Sequence, residues 1–173
     1  VMGDHGRLYS RFTPRMAEGI GRLCARADVI VPNLTEAALL SGMPYPAKTL
    51  READYAQMCE RLLALGAKRV VITGAALSPE EMGFACHDGA RLRLYLPERI
   101  DAAYDGTGDL FASVLLGALL HGRELYAAAQ IAADFTRECV AVSLKNGTNP
   151  HFGVDFEPAL WRLGRDFGTE ESE

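Results

Sequence analysis

The residues best suited to chemistry are gathered most densely in Tyr104-Asp105-Gly106-Thr107-Gly108-Asp109-Leu110-Phe111. Two glycines flank a threonine, an aspartate follows, and an apolar run opens behind it. Within Leu110 to Leu120, the residues Leu110, Val114, Leu115, Ala118 and Leu119 recur at helical spacing, so Gly106 to Gly108 read as a tight loop at a helix N-terminus. Unpaired backbone N–H groups and the positive end of the helix dipole face outward from such a loop. Glycine lets a bulky anion approach the backbone closely, and together these features make a phosphate cradle. Asp109 does not suit a phosphate ligand, because its charge repels phosphate. It suits a base that takes the proton of a hydroxyl attacking phosphorus. The same octapeptide also reads as an ordinary glycine-rich turn, with an aspartate placed in a first helical turn for the dipole alone. It is not a Walker loop, since no Gly-Lys-Ser/Thr follows. Nor is it a full dinucleotide fingerprint, since Phe111 stands where the third glycine belongs.

The elements that must position this loop follow from the order of the chain. Val1-Met2-Gly3-Asp4 reads as the end of a buried strand, and Asp4 to Ser10 as a polar loop. An opening of this kind, without a leading Met, implies that residues are missing upstream. Thr13-Pro14 starts a helix, with Thr13 as its cap, and Met16, Ile20, Leu23, Cys24 and Ala27 repeat along it. Asp28 to Val31 is a short buried strand stopped by Pro32. Thr35 caps a brief helix through Leu40 that ends at Gly42. A longer helix spans Glu52 to Leu65, with Tyr55, Met58, Cys59, Leu62 and Leu63 inward and Gly66 as its stop. Arg69 to Thr73 is a second buried strand ending at Gly74. Gly83 to His87 and Arg91 to Leu96 flank Asp88-Gly89 as a half-exposed hairpin. After the glycine loop and its helix, closed by Gly122, a helix runs from Glu124 to Val142. Lys145 to Gly153 is loop, and Asp155 caps a last helix containing Phe156, Leu160, Trp161 and Leu163.

Alternating strands and helices predict an α/β fold with a mostly parallel sheet covered by helices and a β-hairpin before the glycine loop. In such sheets ligands bind beyond the carboxyl ends of the strands. Asp4, Asn33 with Glu36, and Thr73-Gly74 each follow a strand, and the glycine loop opens a helix at what should be the same edge. Singly, each has a plain explanation. Asp4 and Asn33 can bond their own loops, Glu36 can serve the helix dipole, and Thr73 can be chosen for β propensity. Together with Gly106-Thr107-Gly108-Asp109 they are better accounted for as a phosphate and Mg²⁺ site. Mg²⁺ takes few protein carboxylates and keeps water beside substrate phosphates, a role that suits Glu36 and Asp4.

Composition bounds the rest. At 173 residues, with 49% hydrophobic and 24% charged residues, the chain reads as a single domain, 1–173, with a real core. A net charge of −5 argues against nucleic acid or an anionic membrane as the main partner. The acidic tail, Glu170, Glu171 and Glu173, reads as frayed and solvated. Cys24, Cys59, Cys86 and Cys139 form no C-x-x-C and read as buried thiols of a reducing, cytoplasmic compartment, and the scattered His5, His87, His121 and His151 form no zinc set.

In order and spacing, Val1-Met2-Gly3-Asp4, Val31-Pro32-Asn33-Leu34-Thr35-Glu36, Val70-Val71-Ile72-Thr73-Gly74 and Gly106-Thr107-Gly108-Asp109-Leu110-Phe111 resemble the pyridoxal kinases of the ribokinase superfamily. The resemblance extends to about Val142. It implies a ribokinase-like fold and MgATP-dependent phosphorylation of the 5′-hydroxymethyl group of pyridoxal, pyridoxine or pyridoxamine, a vitamin B6 salvage reaction. By that resemblance Asp109 is the catalytic base, and Gly106, Thr107 and Gly108 form the anion hole. Asp4, Val31, Asn33, Thr73, Gly74 and Thr107 belong to the ATP-binding set. Glu36, with Asp4, belongs to the Mg²⁺ site, and Tyr95 to Ile100 pass near the nucleotide. The family is typically homodimeric, and many members respond to a monovalent cation such as K⁺. The chain departs from the pattern in lacking the portion before Val1, which carries the first strands and most of the pyridine-binding residues. A lesser departure is Asp105, and Ala102-Ala103-Tyr104 ahead of the loop set the chain apart from the sugar kinases of the superfamily. Two rival readings stand: another small-molecule kinase of the superfamily, acting on a hydroxymethylpyrimidine or a sugar, and a non-catalytic nucleotide-binding fragment acting through association.

Overall fold

The structure, a computed structural model, describes residues 2–167; Val1 and the acidic tail with Glu170, Glu171 and Glu173 lie outside the described residues. The chain divides into two units, residues 1–99 and residues 100–173.

The first unit opens on a hairpin, β1 (Gly3–Asp4) against β2 (Arg7–Leu8), with Asp4 opposite Arg7. The sequence predicts a polar loop here. The loop folds back because His5 and Gly6 both take left-handed φ, 49° and 76°, which is what a tight two-residue hairpin turn requires. Then α1 (Pro14–Cys24) starts where expected, its cap Thr13 accepting from the Met16 N–H. It buries Ala17 and Cys24 and leaves Met16 and Leu23 exposed, so half of its apolar spacing faces outward.

Residues 28–33 form an extended segment rather than a full strand. The segment runs parallel to β3 (Val70–Ala75), bridging Ile30 to Val70 and Asn33 to Thr73. Pro32 does not end this pairing. It lacks an N–H, but its carbonyl accepts the Thr73 N–H at 3.0 Å. Next come α2 (Leu34–Ser41) and α3 (Glu52–Ala64). Beyond β3 lie β4 (Gly83–His87) and β5 (Leu92–Tyr95), in a three-stranded sheet ordered β3-β4-β5. Among the described residues, parallel pairing is thus confined to residues 30–33 against β3. The later strands are antiparallel because turns rather than helices connect them. The expectation of a half-exposed hairpin is corrected for β4. As the central strand it buries Phe84, Ala85 and Cys86 on both faces. Tyr55, Met58, Cys59 and Leu62 of α3 join Val70, Ile72 and Ala85 in the core, at the expected 3.6-residue spacing, while Leu63 packs against its margin.

The second unit is helical: α4 (Thr107–Leu120), α5 (Leu125–Asn146) and α6 (Leu160–Phe167). α4 packs along α5 through Phe111, Val114, Leu115 and Ala118, whereas Leu110 and Leu119, expected inward, are only half-buried. Asp155 does not cap the last helix. Its carboxylate accepts from Thr148 Oγ1 at 2.7 Å and Asn146 Nδ2 at 2.9 Å, so it fastens the C-terminal end of α5, and a 3₁₀ turn at Glu157–Ala159 leads into α6. Arg162 of α6 reaches Glu138 of α5 at 2.6 Å. Among the described residues, no helix is long and apolar enough to cross a membrane.

Candidate functional site

In the first unit three of the sequence segments meet. Asn33, not Thr35, caps α2. Its Oδ1 accepts the Glu36 N–H at 2.9 Å, and the Glu36 carboxylate accepts the Asn33 N–H at 3.0 Å, a reciprocal capping box. The N-x-x-E spacing was the sequence signal for this. Thr35 is released to accept the Gly6 N–H at 2.9 Å, which anchors the hairpin turn beside Asp4. The other oxygen of Glu36 accepts the Met2 N–H at 2.6 Å, and Asn33 Nδ2 donates to the Gly3 carbonyl at 2.9 Å. Two side chains at the start of one short helix therefore hold the strand that delivers Asp4. Asp4 itself is exposed, and its Oδ1 accepts the His5 N–H at 2.8 Å. Thr73 is drawn in by its bridge to Asn33, and Val31 lies half-buried in the same extended segment. Gly74 forms a bulge in β3 at φ 72°, a conformation that favours glycine, and a side chain there would meet nothing within 4 Å.

In the second unit the loop is shorter than expected, because Thr107 and Gly108 already lie in the first turn of α4. Gly106 caps α4 at φ 80°, and the first helical bond runs from the Leu110 N–H to the Gly106 carbonyl at 3.0 Å. Earlier N–H groups of the turn have no acceptor within the helix. Added side chains at Gly106 or Gly108 would meet nothing within 4 Å, so the turn is open. Thr107 Oγ1 donates to the Tyr104 carbonyl at 3.3 Å, and Asp109 is exposed in the first turn. The segment read as plain loop contributes here. The Asp105 N–H donates to the Pro150 carbonyl at 3.0 Å, and the Asp105 carboxylate lies 3.2 Å from His151 Nδ1. The short 3₁₀ turn Pro150–Phe152 thus braces the residue just before the loop. Sequence spacing had no means of linking residues 46 positions apart.

The donor sets fit an anion and a sparsely held Mg²⁺. Open backbone N–H groups match phosphate oxygens. Each Glu36 oxygen already accepts one backbone N–H, so the carboxylate fits a water-mediated role rather than a tight cage, and among the described residues no group of three or more His, Cys, Asp or Glu is arranged to hold a metal.

Comparison with known proteins extends this. A family model described as phosphomethylpyrimidine kinase matches residues 12–154. The chain belongs to that family. It is 35% identical to a pyridoxine kinase of Bacillus subtilis over 143 residues, covering 82% of this chain and 51% of the relative. The crystal structure of pyridoxal kinase from Lactobacillus plantarum superposes with a TM-score of 0.84 at 31% identity, covering 95% of this chain and 59% of that one. An ADP complex of Bacillus subtilis pyridoxal kinase matches with a TM-score of 0.65 at 30% identity, covering 78% of this chain and 49% of that one. The chain spans about half the length of the curated relatives it matches. Within the phosphomethylpyrimidine kinase family the fold is the ribokinase-like α/β fold expected from the motifs.

Proposed function

We propose that this chain is the nucleotide-binding portion of an ATP-dependent kinase for a B6 vitamer, phosphorylating the 5′-hydroxymethyl group of pyridoxal, pyridoxine or pyridoxamine. The observation that carries the reading is the open Gly106-Thr107-Gly108 turn at the start of α4 with Asp109 exposed in its first turn. Asp109 takes the hydroxyl proton as the oxygen attacks phosphorus. The N–H groups of Thr107 and Gly108 and their neighbours stabilise the charge that develops on the transferring phosphoryl group. Asp4, Val31, Asn33, Thr73 and Gly74 belong to the nucleotide-binding set, and Glu36, through water, and Asp4 would hold Mg²⁺. When bound, Mg²⁺ offsets phosphate charge. Relatives described as pyridoxine and pyridoxal kinases, one of them an ADP complex, support this assignment. Residues 1–173 acting as one partial domain, a homodimer, a cytoplasmic location and a response to K⁺ belong to the same proposal.

A second reading is favoured by the matched family's own description: a kinase acting on a hydroxymethylpyrimidine or its phosphate. The deciding experiment is MgATP-dependent phosphorylation by this chain across pyridoxal, pyridoxine, pyridoxamine and hydroxymethylpyrimidine, with Asp109→Asn beside it. Turnover of a B6 vitamer that the variant loses supports the first reading, and turnover of the pyrimidine alone supports the second. Nucleotide binding without turnover of any of them sinks both and leaves a nucleotide-binding fragment.

A further inference from the structure

Two carboxylates flank the glycine turn, and only Asp109 has a task in phosphoryl transfer. Asp109 lies in the first turn of α4, and Asp105 stands directly before Gly106. A carboxylate at the positive end of a helix dipole is stabilised there. The same position sets Asp105 in competition with any anion that the turn receives, because like charges a few ångströms apart repel. The Asp105 carboxylate has one neighbour that answers this charge. Its Oδ2 lies 3.2 Å from His151 Nδ1, while the Asp105 backbone N–H donates to the Pro150 carbonyl at 3.0 Å.

The segment that carries His151 is held in shape. The Asn149 side chain accepts the His151 N–H at 3.1 Å, and the Asn149 carbonyl accepts the Phe152 N–H at 3.0 Å. Just before it, Asp155 ties Thr148 to Asn146 at the end of α5. The imidazole is thus presented to Asp105 by a turn fastened to a long helix. Among the described residues, Asp105 is the one partner of the ring. The other charged groups of the adjoining segments are placed otherwise. Asp101 and Asp109 are exposed on either side of Asp105 in the chain, Lys145 is exposed near the end of α5, and Asp155 is engaged by Thr148 and Asn146. What His151 supplies depends on its proton. The imidazolium gives Asp105 a charge-assisted bond and cancels its charge. The neutral ring either donates a plain hydrogen bond from Nδ1 or turns a lone pair to the carboxylate, and in both forms the charge of Asp105 remains.

We infer that His151 is a positioning residue of the glycine turn: as an imidazolium it keeps the Asp105 carboxylate on the 150–152 turn and neutralises it, so that the N–H groups of α4 meet an incoming phosphoryl group without a competing anion. That the anion is a phosphoryl group rests on the kinase reading. No bond to His151 forms or breaks in the transfer. Affinity for the terminal phosphate then falls as rising pH removes the imidazolium proton. Calorimetric titration of the 173-residue chain with MgATP and with MgADP isolates the terminal phosphate. It is run from about pH 5 to about pH 8, the range over which histidine changes charge. His151→Gln, His151→Lys, Asp105→Asn and the double variant H151Q/D105N are measured beside it. The side chains of His151 and Asp105 are 84% and 72% exposed, so water screens the pair and the effect is modest. At about pH 6, His151→Gln should weaken MgATP by about 3- to 5-fold, as for loss of an exposed charge pair, and leave MgADP unchanged. His151→Lys should keep the affinity and remove its fall toward pH 8. Adding Asp105→Asn to His151→Gln should restore the affinity, a coupling that a merely structural His151 would not give. Equal MgATP affinity of His151→Gln and the unsubstituted chain, or a loss that Asp105→Asn does not restore, overturns the role of His151 and leaves the kinase reading standing. If the pattern is seen but neither a B6 vitamer nor the pyrimidine is phosphorylated, the function fails and the role of His151 holds. Failure of the unsubstituted chain to bind MgATP overturns both.

Discussion

Asp109 and Glu36 are both carboxylates in a first helical turn, yet the structure gives them opposite surroundings. Asp109 is exposed at the mouth of an open turn, whereas Glu36 is 7% exposed and both its oxygens accept backbone N–H groups. Their substitutions should therefore separate cleanly. Asp109→Asn is expected to lower the rate of phosphoryl transfer by about 10²–10⁴-fold, the usual contribution of a general base, with thermal stability and MgATP affinity unchanged. Steady-state kinetics beside a melting curve check this. Glu36→Ala leaves the Met2 and Asn33 N–H groups without their acceptor, and an unsatisfied buried donor costs about 1–3 kcal/mol. A urea titration should show a lower midpoint at unchanged slope. A midpoint equal to that of the unsubstituted chain would remove Glu36 from the scaffold and leave it a ligand only.

At the scale of elements, the helix ends decide how well the polar segments are held. α5 runs on to Asn146 and is fastened beyond its end by Asp155, which holds Thr148 and Asn146 and whose own N–H donates to Ser143 Oγ at 2.7 Å. The hydrogen bond from Thr148, then that from Asn146, lowers the Asp155 pKa below the ordinary carboxylate value. For a carboxyl lowered on folding, the stabilisation is present above the unfolded pKa and is lost as pH falls through the folded one. Thr148→Val should therefore be less stable at neutral pH and should lose less than the unsubstituted chain on acidification below about pH 4. Melting curves taken from pH 7 to pH 3 report the difference, and parallel curves for the two proteins would refute the role given to Asp155. The same fastening lies a few residues before the turn that braces Asp105. Periodicity placed α3 within a residue of its observed bounds because its apolar face is continuous, and it found the end of α4 but not its start, which lies at Thr107 inside the stretch read as loop. It misplaced the starts of α2 and α6, because whether Asn33, Thr35 or Asp155 finds a backbone N–H depends on chain bends that no period records.

For the molecule as a whole, the thiols give one reporter set for both units. Cys59 and Cys86 are buried in the first unit and Cys139 in the second, and burial pushes their pKa values to about 12, about 11 and about 11. A thiol raised on folding stabilises the native chain below its unfolded pKa and ceases to do so as pH rises through the folded value. Stability should hold to about pH 8 and then decline, as the unfolded chain ionises first. At pH 8 these three thiols should resist an aromatic disulfide reagent and react only when the unit holding each unfolds. Single-cysteine variants resolve the two units, and rapid labelling of Cys59 in the native chain would contradict the core assigned to α3.

The amino-acid sequence by itself determined the α/β class, the glycine turn at the start of α4, the inward face of α3 and the kinase family. Each of these rests on local spacing: glycine where φ must be positive, apolar residues at 3.6-residue intervals, and four short motifs in order. Only the tertiary structure decided what the polar residues do. It made Asn33 the cap and Thr35 the anchor of the hairpin turn, and it turned Glu36 into a clamp on the strand before Asp4. It also brought His151 to Asp105. A polar side chain has several near-equal local partners, and which one it takes is settled by which backbone groups folding brings within about 3 Å of it.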